Sequence, residues 1–192
     1  MIILCSQSPR RKEIFNFFSL PFKQVNPDFD EDSIPFENNP TDYVCLLAKG
    51  KTQSFAPKHP DDAIIAADTI VYKDGKIYGK PKNIEEAFRM LKELSGGRHI
   101  VYTGLALAHR GKMYCSAEST QVEFNSLTDS QITHYHRTIQ WSDKAGAYGI
   151  QHGGGLIIKK IDGCFYNVMG LPVNTLQLLL QNIGIDLWDY LK

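Results

Sequence analysis

Asp68 is the only carboxylate in the apolar run Ile64-Ile65-Ala66-Ala67-Asp68-Thr69-Ile70-Val71. A run this apolar reads as a strand covered on both faces, and burying an unpaired carboxylate is costly, so Asp68 needs a partner or a task. Lys51 poses the complementary problem. Tyr43, Leu47 and Lys51 fall four residues apart on one helical stripe, so an apolar face ends in an ammonium group. Arg10, Arg11 and Lys12 crowd the first turn of a helix opened by Ser8-Pro9, where the positive end of the helix dipole disfavours cations. An anion held between them would resolve that conflict. Lys80 lies beside the turn Gly79-Lys80-Pro81-Lys82. Arginine brings a fork of donors to phosphate oxygens and lysine a compact charge, so together these groups could hold a polyphosphate. Asp68 and Glu31, the latter in a Pro/Asp-rich stretch with Asp28, Asp30, Asp32 and Glu37, are the carboxylates best suited to a hard divalent ion such as Mg²⁺ shared with phosphate oxygens. The chemistry suggested is metal-assisted phosphoryl transfer.

Taken singly, most of these residues have plainer readings. Arg11, Lys12 and Lys82 fit a solvated helix or loop face, and Glu31 alone is an ordinary loop acid. Lys51 is balanced between a site and a stem snorkelling from a buried face. For Asp68 the local pattern leaves a structural ion pair and a catalytic acid almost equally open. The six histidines have no ligand spacing, and His134 and His136 face apart on a helix. No G-x-x-x-x-G-K-[ST] or strand-linked G-x-G-x-x-G order occurs, so P-loop and Rossmann readings are poor.

The elements that would carry these residues follow from local signals. Ile2 to Cys5 reads as a short buried strand, followed by a helix from Arg10 to Phe18. Residues 26 to 40 read as loop, and Thr41 as the cap of the helix bearing Lys51. Asp74-Gly75 turns the strand from Ile64 back through Ile77 and Tyr78. Asn83 and Glu86 resemble a capping box for a helix through Ala87, Phe88, Leu91 and Leu94. His99 to Ala108 and Met113 to Phe124 read as two long antiparallel strands, and Thr128 with Gln131 opens a helix to about Arg137. The glycine-rich stretch 146 to 155 reads as a loop close to ligand or backbone. Leu156 to Ile161 and Phe165 to Met169 are expected to form a hairpin about Asp162-Gly163, and Pro172 to open a helix closed by Gly184. No repeat or linker divides residues 1–192, which predicts a single α/β domain with a mixed sheet.

Composition narrows the function. Lys+Arg and Asp+Glu each total 21, so no global field attracts nucleic acid or an anionic membrane, and no basic, aromatic-studded stripe is present. Hydrophobic residues make up 43% of the chain, enough for a core. Cys5, Cys45, Cys115 and Cys164 are scattered without zinc-like spacing and are expected to be reduced. With no signal-peptide pattern and no apolar run approaching the ~20 residues of a membrane span, a soluble cytoplasmic protein is expected.

Six segments in order, Ser6-Gln-Ser-Pro-Arg-Arg11, Ala67-Asp-Thr-Ile-Val71, Gly79-Lys-Pro-Lys82, Ser95-Gly-Gly-Arg-His-Ile-Val-Tyr-Thr-Gly104, Asp143-Lys-Ala-Gly-Ala-Tyr-Gly-Ile-Gln151 and Val168-Met-Gly-Leu-Pro172, resemble the Maf family of nucleoside triphosphate pyrophosphatases. The resemblance implies an elongated α/β fold related to inosine triphosphatases, two lobes around a central cleft, and commonly a homodimer. It implies hydrolysis of a nucleoside triphosphate to monophosphate and pyrophosphate with Mg²⁺ or Mn²⁺. By position, Asp68 matches the catalytic acid, assigned as proton acceptor, with a metal-ligand role left open; Glu31 matches a metal position. Ser8, Arg10, Arg11, Lys51 and Lys80 match phosphate-handling positions. Arg10, Thr69 and Gln151 resemble the branch acting on dTTP and UTP, whereas the branch acting on 7-methyl-GTP has an aromatic residue, glutamine and glutamate there. Gln7 departs from the small residue usual at its position. Within the enzyme class the 7-methyl-GTP branch is the runner-up, and the family's association with inhibition of septum formation leaves a nucleotide-binding regulator as the alternative from another class.

Overall fold

The computed structural model describes residues 1–192, and its chain order explains how the charged residues meet. Strand β1 (Ile2–Cys5) leads through Ser6-Gln7-Ser8 into helix α1 (Pro9–Phe15), and β2 (Phe22–Val25) returns parallel to β1. A loop with one 3-10 turn, Glu31–Ser33, precedes α2 (Pro40–Gln53). Then come β3 (Ala63–Lys73), β4 (Lys76–Tyr78), α3 (Ile84–Leu94), and the long antiparallel pair β5 (Arg98–His109) and β6 (Lys112–Phe124). The chain ends with α4 (Asp129–Thr138), α5 (Gly154–Ile157), β7 (Ile158–Asp162), α6 (Phe165–Met169) and α7 (Val173–Gln181). The strands form one mixed seven-stranded sheet, ordered β2-β1-β3-β5-β6-β7, with β4 added on β3. No helix is long and apolar enough to cross a membrane.

The edge of β3 is the key to the site. Its first residues, Ala63 to Ala66, pair with β1, and Val71 to Lys73 pair with β4 on the same side. Residues 67 to 70 therefore have no strand beside them there, where β1 ends and the Ser6–Ser8 loop begins. A gap beyond the carboxyl end of a parallel strand is where α/β sheets place ligands. The core divides at the same level. On one face Ile65, Ala67, Leu105 and Leu107 join α1 and α7 in one hydrophobic cluster, while Val71 and Val101 join α3 and α4 in another. Between them on β3 and β5 lie Thr69 and Thr103, directly opposite each other. Helix α2 covers the other face. Gly104, paired with Asp68, lets the helix backbone come this close: a Cβ there would lie 2.3 Å from the Val44 carbonyl oxygen.

Several local expectations change. Helix α1 stops at Phe15, three residues early, because Phe18 leaves it to bridge Leu191. Strand β2 lies between the expected first helix and the loop that begins at residue 26, where no element was expected. Asn39, not Thr41, caps α2: its side chain accepts from the N–H groups of Thr41 and Asp42, with Pro40 at the first helical position. The Asn83 cap bonds the Glu86 N–H, but the Glu86 carboxylate accepts from Lys82 N, so the box is one-sided. The full box at Thr128 and Gln131 forms as expected. The expected second hairpin does not form, because Phe165–Met169 is helical. Thr120 Oγ1 accepts from Cys164 N–H (3.0 Å) and donates to Cys164 C=O (3.2 Å), removing both groups from a continuing ladder.

Two buried histidines contribute to the acid response of the fold. His99 Nε2 lies 2.7 Å from the Tyr148 hydroxyl, its Nδ1 has no partner, and burial pulls its pKa down to about 3. Burial also lowers His136, though the Ala147 carbonyl partly offsets it. Below the ordinary histidine value of about 6.5, the unfolded chain gains protons that the folded one refuses, so stability falls as pH drops toward 3. One pH unit below that value His99 alone costs about 1.4 kcal/mol. Thermal melts from pH 7.5 to 5 should show the decline, and His99→Gln should flatten it; an unchanged slope would remove His99 as its source.

Candidate active site

The gap beside β3 opens into a cleft of about 470 Å³. Its floor is a three-residue charge cluster. Lys51 Nζ, from the last turn of α2, contacts Asp68 Oδ1 and lies 2.9 Å from Glu31 Oε1. Lys51 and Asp68 are 5% and 7% exposed, so each offsets the cost of burying the other. Glu31 is brought in by its own loop, where Phe29 packs onto Gly50; a Cβ at Gly50 would stand 2.2 Å from that ring. Burial opposes the Glu31 charge, but Lys51, Lys80 and Arg11 together outweigh it and hold the carboxyl below its usual range. The helical stripe that ends in Lys51 thus delivers it to the acid it needed.

Arg11 lies on the other side of the Ser6–Ser8 loop. Its Nε donates to Gly170 C=O (2.7 Å), Nη1 to Ser6 Oγ (3.2 Å) and Nη2 to Thr69 Oγ1 (3.0 Å). Burial lowers its pKa to about 10, so the guanidinium is still charged at neutral pH. Three of its five donors are spent inside the protein, which makes it as much a tie between β1, β3 and α6 as a phosphate ligand. The Ser8 side chain caps α1 by accepting from Arg11 N–H (3.4 Å). Gln24 Nε2 donates to the Ser6 (2.7 Å) and Ser8 (3.3 Å) carbonyls, so β2 braces the loop from outside. Gln7 is exposed and lines the cleft.

Arg10 reaches across the cleft to Asp143, donating from Nη1 to Oδ2 (2.7 Å) and from Nη2 to the carbonyl (3.2 Å). Asp143 also takes Lys144 Nζ at 2.7 Å. Burial raises the Asp143 carboxyl, but Lys144 and Arg10 overcome it and keep it low. Lys80 is exposed at the rim with no ion-pair partner. The lining therefore carries Arg10, Arg11, Lys51, Lys80 and Lys144 against Glu31, Asp68 and Asp143, an excess of cations suited to a polyanion.

Of the residues singled out from sequence, the structure gathers Ser8, Arg10, Arg11, Glu31, Lys51, Asp68, Thr69 and Lys80 around this cleft. Gln151 stands apart: its amide donates to the Glu13 carboxylate of α1 at 3.2 and 3.3 Å, and Ile150 rather than Gln151 lines the cavity. Asp143 and Lys144 received no role from sequence, although both lie in one of the ordered segments. Asn167, fully buried, and Thr103 were also missed, for no local pattern marks them.

Glu31 and Asp68 offer two carboxylate oxygen sets, and no group of three or more metal-ligating side chains exists. A cation held here needs further ligands from a bound phosphate or water, which is the donor set Mg²⁺ favours. The two carboxylates fit such an ion once water or a substrate's phosphate oxygens complete its coordination.

Residues 1–183 match the model of the family described as Maf-like protein. A dTTP/UTP pyrophosphatase of Chlamydia caviae is 45% identical over 191 residues, spanning 99% of this chain and 97% of its own. One of Clostridium botulinum is 44% identical over 191 residues, spanning 97% and 98%. Among solved structures, the Staphylococcus aureus Ham1 protein aligns with a TM-score of 0.52 at 15% identity, covering 95% of this chain and 99% of that one. That likeness extends to the fold alone, and it bears out the mixed α/β architecture expected from sequence.

Proposed function

Because the chain belongs to the Maf family, matched across residues 1–183, we propose that it hydrolyses dTTP and UTP between the α- and β-phosphates, releasing nucleoside monophosphate and pyrophosphate. The observation that carries this reading is the cluster of Glu31, Lys51 and Asp68 on the floor of a cation-rich cleft. Relatives more than 40% identical over nearly their full length carry the name dTTP/UTP pyrophosphatase.

In this mechanism Lys80, Arg10 and Lys144 at the rim counter the triphosphate charge, and Lys51 supplies a fixed positive charge where charge develops on the reacting phosphate. Lys51 occupies Asp68 Oδ1, so Oδ2 is left to orient a water and accept its proton. A bound Mg²⁺ or Mn²⁺, held by Glu31 and Asp68 with phosphate oxygens, would neutralise charge and activate the nucleophile. Asp68 thereby serves as proton acceptor, cation ligand or both. Thr69, beside the Arg11 tie, lines the cleft. Gln151 reaches it only by leaving Glu13, so its part in selectivity requires that bond to open.

The same proposal includes one domain over residues 1–192, a cytoplasmic setting and a homodimer, for which exposed Leu178, Trp188 and Leu191 offer apolar surface. The test is a panel of nucleoside triphosphates, 7-methyl-GTP included, incubated with purified protein and Mg²⁺ or Mn²⁺ while pyrophosphate and monophosphate are measured. Highest kcat/KM for dTTP and UTP is expected. Preference for 7-methyl-GTP would overturn the substrate assignment, and binding without turnover would favour a nucleotide-binding regulator of septum formation.

A further inference from the structure

Cys45 on α2 and Cys115 on β6 meet outside the cleft, on the face of the sheet that α2 covers. Gly104 of β5 turns toward the helix, for a Cβ there would lie 2.3 Å from the Val44 carbonyl oxygen and 2.8 Å from Cys45 N. Ala117 pairs with Gly104 and so faces the same way, and Cys115, paired with Ala106 on the same two strands, shares that face by alternation. The place where α2 rests on glycine thus sets Cys45 beside Cys115. Cys115 Sγ is 3.8 Å from the Cys45 carbonyl oxygen, and the two thiols are hydrogen-bonded to each other. Both cysteines are free and half-buried, and neither lines the cleft.

The two sulfurs are unlike. A hydrogen bond from the Cys115 thiol favours the Cys45 thiolate; burial and Asp42 oppose it, the Lys49 ammonium one turn along α2 supports it, and the pKa comes down to about 7. Cys45 is therefore the sulfur equipped to attack an oxidant. Cys115 is held protonated, first by its bond to Cys45 and then by burial. Oxidation of Cys45 removes the negative charge that held that proton, which frees Cys115 to attack the neighbouring sulfur. Cys5 has no such arrangement: it is buried, its thiol donates to the Lys51 carbonyl (3.6 Å), and desolvation pushes its pKa up to about 11.

We propose that Cys45 and Cys115 are a peroxide-responsive thiol pair whose disulfide clamps α2, the helix that carries Lys51, to β6. The Cys45 thiolate attacks one oxygen of hydrogen peroxide, the O–O bond breaks, and Cys45 sulfenic acid and hydroxide result. The hydroxide takes up the proton that Cys45 had released, forming water. Cys115 then attacks the Cys45 sulfur, the S–OH bond breaks, and the Cys115 proton leaves with the hydroxyl as a second water. Each sulfur gives up one electron, and the peroxide accepts both. The cysteines are 70 residues apart, so the cross-link strongly restricts the unfolded chain, while thiols already in contact need little movement in the folded one. Lys51, further along the same helix, stays over Asp68.

The test treats the purified full chain with hydrogen peroxide or with dithiothreitol, maps its peptides without reduction, and records thermal melts of both samples. A peptide linking Cys45 to Cys115 is expected from oxidised monomer. Its melting midpoint should lie about 5 °C or more above that of the reduced protein, and dithiothreitol should reverse both changes. Cys115→Ser should stall at a sulfenic acid on Cys45, trapped with dimedone, whereas Cys45→Ser should leave Cys115 a free thiol; the reverse split would overturn the assigned order of attack. Oxidation confined to Cys164, links between chains on a non-reducing gel, or over-oxidised Cys45 beside a free Cys115 would each overturn the pair. A linked peptide without a raised midpoint would overturn the clamp. If a serine variant does not fold, the wild-type peptide map and paired melts still decide.

Discussion

Asp68→Asn should lose roughly 10³-fold or more in pyrophosphate release from UTP while remaining folded. Replacing one carboxylate oxygen by an amide removes the proton acceptor and weakens any cation held with Glu31, yet it changes neither size nor shape. The remaining Asn oxygen can still accept from Lys51 Nζ, and Glu31 Oε1 at 2.9 Å still balances that ammonium. The fold therefore loses a charge-assisted bond rather than its partner, a cost of about 1–3 kcal/mol. Circular dichroism and a thermal melt should report a native chain with a lowered midpoint, and a malachite-green assay coupled to inorganic pyrophosphatase should report almost no product. Near-normal turnover would mean that Asp68 is the structural partner of Lys51 and nothing more, which is the plain reading the apolar run left open.

The distinction matters because the sequence showed the parts of this site without their wiring. Lys51 was legible: a four-residue spacing puts it on a stripe with Tyr43 and Leu47, and the structure buries Leu47 and Lys51 and leaves Tyr43 half-buried. Asp68 was legible as an acid that needed company, and the Asp74-Gly75 hairpin that shapes its strand formed because a turn is decided by neighbours. Arg11 was read as a phosphate ligand on a crowded helix start, but three of its donors are used at Ser6, Thr69 and Gly170. The last two are 58 and 159 residues away, and no local pattern could have shown them. Asp162-Gly163 carries the same dipeptide as the true hairpin, with the opposite outcome. There Gly163 adopts φ 131° against Thr120, whose hydroxyl captures both main-chain groups of Cys164, so tertiary bonds override the turn signal. The cap of α2 is a different kind of miss, since Asn39-Pro40 is a complete start signal and Thr41 merely the next polar residue. Local rules thus placed most elements, while the contacts across the β3 gap required the folded chain.

Lys51→Met should be the more destabilising change, and it also separates the cation role of the two acids from catalysis. The methionine keeps the buried stem but removes the charge, leaving Asp68, with a side chain 10% exposed, beside Glu31 and no ammonium between them. Stranding a buried charge costs about 3–5 kcal/mol, and the lower figure applies because the Glu31 side chain, 45% exposed, can turn toward water. The melting midpoint should drop further than in Asp68→Asn, and turnover should be lost as well. In the wild type a divalent ion competes with Lys51 for the same oxygens; in Lys51→Met it meets two carboxylates with nothing positive between them. Added Mn²⁺ or Mg²⁺, without nucleotide, should therefore raise the midpoint of the variant more than that of the wild type, since a ligand that binds only the native state stabilises it by mass action. A second substitution, Glu31→Gln, should remove most of that gain by taking away one of the two charged donors. If metal leaves the Lys51→Met midpoint unchanged, Glu31 and Asp68 do not form a cation site by themselves, and any ion must arrive with the triphosphate.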